Sequence, residues 1–289
     1  LQLQSWINSR IIPLQSNLLS LANYESNTES KDDLTKDVPE NLCRLSKLLQ
    51  IQYFIKLQHN INESYEEQLN FIRTLVTLYC VTHSIAAGKG VGGLREVQPG
   101  DELLMLASTV VRNQIQQLST LNYDKNESNQ YEEKLLNLNL NWLTLLEIGR
   151  QMSPHSYCFT VELLEPLRYL SCTKYALELY NTLGVRYIQL DSMSYLILPL
   201  LIEGGYTTEM LKLSKNIVGF HESARRDTLA SVAKSFTYCN YAKGIELGEF
   251  CQRCQKSTQL ALSKSELPLF QIIEKLHTSD AVYNYLQGY

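Results

Sequence analysis

The chain has 289 residues, 44% of them hydrophobic, and a formal net charge of −4. That length allows one large or two ordinary domains with a substantial core, and the faintly acidic balance gives no global electrostatic basis for holding DNA or an anionic membrane. No run of eighteen apolar residues occurs, which excludes a membrane-spanning helix.

Residues 3–22 can form one helix, which Pro13 should end or kink. The stretch 23–38 holds almost nothing apolar and reads as a loop. Pro39 suits the first turn of the next helix, in which Leu42, Leu45, Leu49 and Tyr53 share a face. A helix from about Glu63 to Ala87 carries the stripe Leu69, Ile72, Val76, Tyr79, Cys80 and His83. After a glycine-rich break at 88–100, Asp101 is expected to cap a helix to about Leu118, with Leu104, Ala107, Val111, Ile115 and Leu118 on one side. Residues 122–130 read as a second polar linker. From Leu136 to Trp142 apolar and polar residues alternate as in a strand. The helical stripe Leu135, Leu138, Trp142, Leu145 and Leu146, in a segment without turn signals, favours a helix over 132–150.

From Pro154 onward a helix-pair unit recurs every 34 to 36 residues. First helices are expected to start near Pro154, Asp191 and Asp227, and partner helices near Cys172, Tyr206 and Tyr241. The middle unit offers Met193, Leu196, Ile197, Leu200 and Leu201 for burial, and the next offers Leu229, Val232, Ala233 and Phe236. The partner helices offer Ala176, Leu179, Tyr180 and Leu183, then Met210, Ser214, Ile217 and Val218. Pro166 and Pro199, inside first helices, should kink them. One such hairpin buries too little to offset its own ordering entropy, so the units must stack. The expected fold is all-α: a tetratricopeptide-like helical-repeat solenoid in a right-handed superhelix, with a helical segment over 1–121 and the repeats over 131–289, continuous with each other. Asp191 and Asp227 are read as helix N-caps.

Four segments carry a resemblance. They are Gly100-Asp101-Glu102-Leu103-Leu104, the run Leu183-Gly184-Val185-Arg186-Tyr187-Ile188-Gln189-Leu190-Asp191-Ser192, the stretch Tyr195-Leu196-Ile197-Leu198, and Ile245-Glu246-Leu247-Gly248-Glu249-Phe250 with Ser257 beyond it. In that order they resemble the auxiliary, non-catalytic subunit of the N-terminal acetyltransferase B complex, NatB. The resemblance implies a superhelix that wraps the catalytic acetyltransferase subunit and helps bring it to the ribosome. It also implies acetyl transfer to nascent Met-Asp, Met-Glu, Met-Asn and Met-Gln termini, with acetyl-CoA held by the catalytic partner and no cofactor or catalytic residue in this chain. Family members are much longer. That, and a beginning at Leu1 without Met or a signal-peptide pattern, leads us to expect an internal segment of a longer protein.

Gly88-Lys89-Gly90-Val91-Gly92-Gly93 lacks the spacing and the Ser/Thr of a phosphate-binding loop, and follows a predicted helix rather than a strand. An enzyme using this loop is the remote alternative, and a helical-repeat scaffold of a different complex the nearer one. Cys251-Gln252-Arg253-Cys254 has no second ligand pair for structural zinc, and its thiols share a helical face with Leu247 and Phe250. Seven scattered cysteines suit a reducing compartment, so the cytoplasm is expected. His83 reads as a satisfied core histidine, and His221 as a residue near a helix end. Tyr187 and Gln189, in an inter-helix turn, are the candidate partner contacts. Arg225 and Arg226, with Lys212 and Lys215 earlier, are candidates for a contact with ribosomal RNA.

Overall fold

Helix follows helix along the chain in a computed structural model that describes residues 2–22, 38–59, 64–87, 98, 100–120, 128–276 and 287. The Gly88–Gly93 loop and most of both polar linkers lie outside these residues. Regular structure among the described residues is helical throughout, and no described helix is long and apolar enough to cross a membrane. The chain divides into two units, residues 1–166 and 167–289.

The first unit contains α1 (Gln2–Ala22), α2 (Val38–Gln58), α3 (Tyr65–Ala87), α4 (Asp101–Thr120), α5 (Ser128–Met152) and most of α6 (Tyr157–Tyr169). Pro13 does not end α1, which runs through it. Burial of Ile7 and Ile11, in a helix packed on α2 and α3, holds the segment helical despite the lost amide donor. The expected faces of α2 and α4 are buried throughout. In α3 the core side is rotated slightly: Ile72, Leu75, Leu78, Tyr79 and Thr82 are buried, whereas Cys80 is exposed.

The alternating 136–142 run is helical, and the reason is visible in α5. Leu138, Trp142 and Leu146 enter the core against α4, and the Trp142 indole Nε1 donates to Ser108 Oγ at 2.6 Å. Asp101 opens α4, and its side chain reaches back from the helix rather than capping its first turn. Its buried carboxylate accepts from the Gln98 amide at 3.1 Å and from Ser153 Oγ at 2.7 Å. Burial pushes the Asp101 carboxyl above its ordinary range, with the Ser153 hydroxyl and Gln98 amide opposing. His83 is satisfied, its Nε2 lying 3.0 Å from the Met152 carbonyl. Gly149 admits the Phe159 ring, which a Cβ there would meet at 2.6 Å.

The second unit contains the end of α6, then α7 (Thr173–Thr182), α8 (Ile188–Met193), a 3-10 turn (Ser194–Leu196), α9 (Leu198–Glu203), α10 (Thr207–Thr237), α11 (Tyr241–Gln255) and α12 (Thr258–Lys275). The repeat is written in its backbone. Ser171, Gly205 and Cys239, spaced 34 residues apart, have φ of 54°, 71° and 54°, and each stands two residues before a helix start. The next amide in each turn, of Cys172, Tyr206 and Asn240, bonds back to the carbonyl of Leu167, Leu201 and Ser235 at 2.9, 2.9 and 2.8 Å. These are helix-ending turns of one kind, with a left-handed residue closing the helix.

The partner-helix starts near Cys172, Tyr206 and Tyr241 are therefore as expected. Of the first helices, the one near Pro154 begins as expected, at Tyr157, and the other two do not follow the expectation. The middle one begins at Ile188, breaks into a 3-10 turn, and resumes at Leu198 with Pro199 in its first turn. Ile197, Leu200 and Leu201 are buried there, while Met193 and Leu196 are only half-buried. The third does not begin at all. Asp227 lies inside the 31-residue α10 as an exposed residue, so it caps nothing. Between Phe220 and Asp227 the chain offers no proline or glycine, and Glu222, Ala224, Arg225 and Arg226 are good helix formers.

An unbroken α10 also fixes its phase. Met210, Leu211, Leu213, Ser214, Ile217, His221, Thr228 and Ser235 are its buried residues. Thr228 follows Met210 by 18 residues, which is about five full turns, so both meet the same core. Leu229 and Phe236 are each one residue, about 100°, further round and are exposed, as is Ala233. Of the stripe expected to be buried, Val232 is half-buried and the other three residues lie on the surface.

Candidate partner-binding site

Tyr187 precedes α8 with φ of 54°, and its ring is 75% exposed at the tip of the turn. A bulky residue in that backbone region is strained, and such strain is held only by its surroundings. Gln189 is exposed, and its carboxamide oxygen accepts from the Arg186 amide at 3.2 Å, tying the turn. Gly184, with φ of 60°, ends the preceding helix. Both aromatic and amide candidates are thus displayed at one turn.

Asp191 is not a helix cap. It sits within α8, and its Oδ1 accepts from His221 Nε2 of α10 at 2.9 Å and from the Ser257 hydroxyl. Ser257 is itself the N-cap of α12, accepting from the Leu260 amide at 3.0 Å. One carboxylate therefore binds three helices together. Asp191, His221 and Ser257 do not form a nucleophilic triad. In a triad the imidazole stands between hydroxyl and carboxylate and takes the hydroxyl proton. Here the carboxylate stands between the other two, and the hydroxyl is committed to a cap. Nearby, Cys251 and Cys254 are buried on one face of α11, and burial pushes the Cys254 thiol up. No cluster of metal-binding side chains occurs among the described residues.

Arg225 and Arg226 are exposed on α10, as are Lys212 and Lys215. From Lys212 to Arg226 the helix rises about 21 Å, so the four cations do not converge on one point. No hydrogen bond or ion pair among the described residues joins the two arginines to Tyr187 or Gln189. The His221–Asp191–Ser257 junction was missed by sequence reasoning because its members are 30 and 66 positions apart, with no local pattern linking them.

A family model described as the N-acetyltransferase B complex (NatB) non catalytic subunit matches residues 12–288. The chain belongs to this family. Similar proteins include the N-alpha-acetyltransferase 25, NatB auxiliary subunit, of Rattus norvegicus, which is 23% identical over 270 residues, 92% of this chain and 25% of its own length. The protein of the same name from Mus musculus is 23% identical over 267 residues, 91% of this chain and 25% of its own. The N-terminal acetyltransferase B complex auxiliary subunit NAA25 of Arabidopsis thaliana is 26% identical over 130 residues, 45% of this chain and 12% of its own. The chain thus spans about a quarter of the length of the rodent relatives. The family is described as the non-catalytic subunit of the NatB complex.

Proposed function

We propose that this chain is part of the auxiliary subunit of NatB, and that it binds and positions the catalytic acetyltransferase subunit. The partner binds acetyl-CoA and transfers the acetyl group to nascent Met-Asp, Met-Glu, Met-Asn and Met-Gln termini. The complex works in the cytoplasm, docked at the ribosome. The observation that carries the reading is the family match over residues 12–288. Stacked helices that display an aromatic at a strained turn, and a long helix with one bare face, supply contact surface of the kind a scaffold needs.

The role is tested with acetyl-CoA and a peptide beginning Met-Asp, using the catalytic subunit alone and with this chain. The expected result is no transfer by the chain alone and faster transfer by the pair than by the catalytic subunit. Equal rates with and without the chain would count against it. Sedimentation of the pair with ribosomes, lost on raising salt, is the expected sign of ribosome docking.

A further inference from the structure

Helix α12 packs on α10 with much of its apolar surface turned outward. Leu262, Leu269 and Ile273 are 44, 54 and 38% exposed, and Phe270 is the one large side chain of the helix that is fully buried. The inward face carries Gln259, Ser263 and Glu266, spaced four and three residues apart and so aligned along one side of the helix. Gln259 Nε2, Ser263 Oγ and Glu266 Oε2 are all shut off from solvent, and none has a hydrogen-bond partner among the described residues. Each of these atoms gives up water and gains nothing in return, which offsets part of what the burial of Phe270 contributes.

The helix is also weak in itself. Pro268 has no amide to bond the Lys264 carbonyl, so the ladder loses a rung between Glu266 and Phe270. An 18-residue helix with an interior proline is marginal in water and keeps its shape only while docked. Its first turn is tied. Ser257 caps α12 through the Leu260 amide at 3.0 Å and donates to Asp191 of α8, which also accepts from His221 of α10. Helix α10 has further supports: it packs on α8, α9 and α11, and it buries Met210, Leu211, Leu213 and Ile217.

We propose that α12 is a strap. Held at its first turn by Ser257, it leaves α10 as one unit over residues 261–275 and unwinds, while α10 stays packed on α8 and α9. The motion belongs to this chain alone and needs no partner.

The test is hydrogen exchange of the whole chain, followed residue by residue at low, increasing urea concentrations. The amides of 261–275 should open together, about 100-fold or more oftener than those of 210–217, and with a weaker dependence on urea. Glu266→Leu removes the unpaired carboxylate and should slow exchange across 261–275 about tenfold, leaving 210–217 unchanged. Ser263→Ala, which deletes a single unpaired atom, should slow it about threefold. Ser257→Ala cuts the tie and should speed it about tenfold. Opening of 261–275 in one step with 210–217, at the same rate and urea dependence, would overturn the proposal. So would fraying from the end of the helix, with 270–275 exchanging while 261–266 stay protected. Faster exchange in Ser263→Ala, or in Glu266→Leu with the circular dichroism of the parent, would mean that the polar groups hold the two helices together, and would overturn it as well.

Discussion

Replacing Asp191 with Ala should destabilise the second unit through His221 rather than through a helix terminus. The His221 ring is almost fully buried, its Nε2 donates to Asp191 Oδ1 at 2.9 Å, and its Nδ1 has no partner. Without the carboxylate, both ring nitrogens are buried and unpaired, and Ser257 loses its acceptor. Leaving a buried polar group unsatisfied costs about 1–3 kcal/mol. Loss of a helix cap would cost a similar amount, roughly 0.5–2 kcal/mol, so the single variant does not separate the two causes. A double-mutant cycle does. With Asp191→Ala, His221→Ala and the pair, urea unfolding should show a coupling of about 1–2 kcal/mol, as for residues in direct contact. Asp191→Ser supplies the side chain of a good cap but cannot reach both partners, so it should not rescue. Energies that add to within about 0.5 kcal/mol, together with rescue by Ser, would refute the junction and restore the capping role.

Two glycines inside helices should respond oppositely to one substitution. At Gly149 an added Cβ meets Phe159 at 2.6 Å and Leu104 at 2.8 Å, so Gly149→Ala should cost about 1–3 kcal/mol in thermal or urea unfolding. At Gly219 it meets nothing within 4 Å, so Gly219→Ala should add roughly 0.5–1 kcal/mol. Tyr79 gives an alkaline prediction. Burial pushes its phenol up to about 12 from 10, so the folded state keeps the proton longer than the unfolded one. The associated stability is fully present below pH 10 and is lost as pH rises toward 12. Unfolding free energies from urea titrations should therefore fall less across that window for Tyr79→Phe than for the parent, by an amount on the order of 2–3 kcal/mol.

Where helices carry one clean apolar face, the sequence was enough. Leu42, Leu45, Leu49 and Tyr53, and the whole stripe of α4, are buried as their spacing requires. Trp142 settled the ambiguous 136–142 run for the same reason, since a helix lines it up with Leu138 and Leu146. The repeat spacing also emerged, because the partner helices expected near Cys172, Tyr206 and Tyr241 start at Thr173, Thr207 and Tyr241. Periodicity failed in α10. It identified the most apolar face of 229–236 and assumed that face to be buried. The phase of an unbroken helix is set at Met210 and Ile217, so Thr228 and Ser235 reach the core and Leu229 and Phe236 do not. Composition near Asp227 suggested a cap, but a cap needs a break, and nothing there breaks the helix. Asp191 was misread for another reason: its partners lie in α10 and at the start of α12, contacts that only the folded chain creates.

The most direct measurement is the mass of what purifies when this chain is co-expressed with the catalytic NatB subunit. The account predicts one species holding one copy of each protein, stable through gel filtration with in-line light scattering. Two folded proteins that elute separately at their own masses would contradict it.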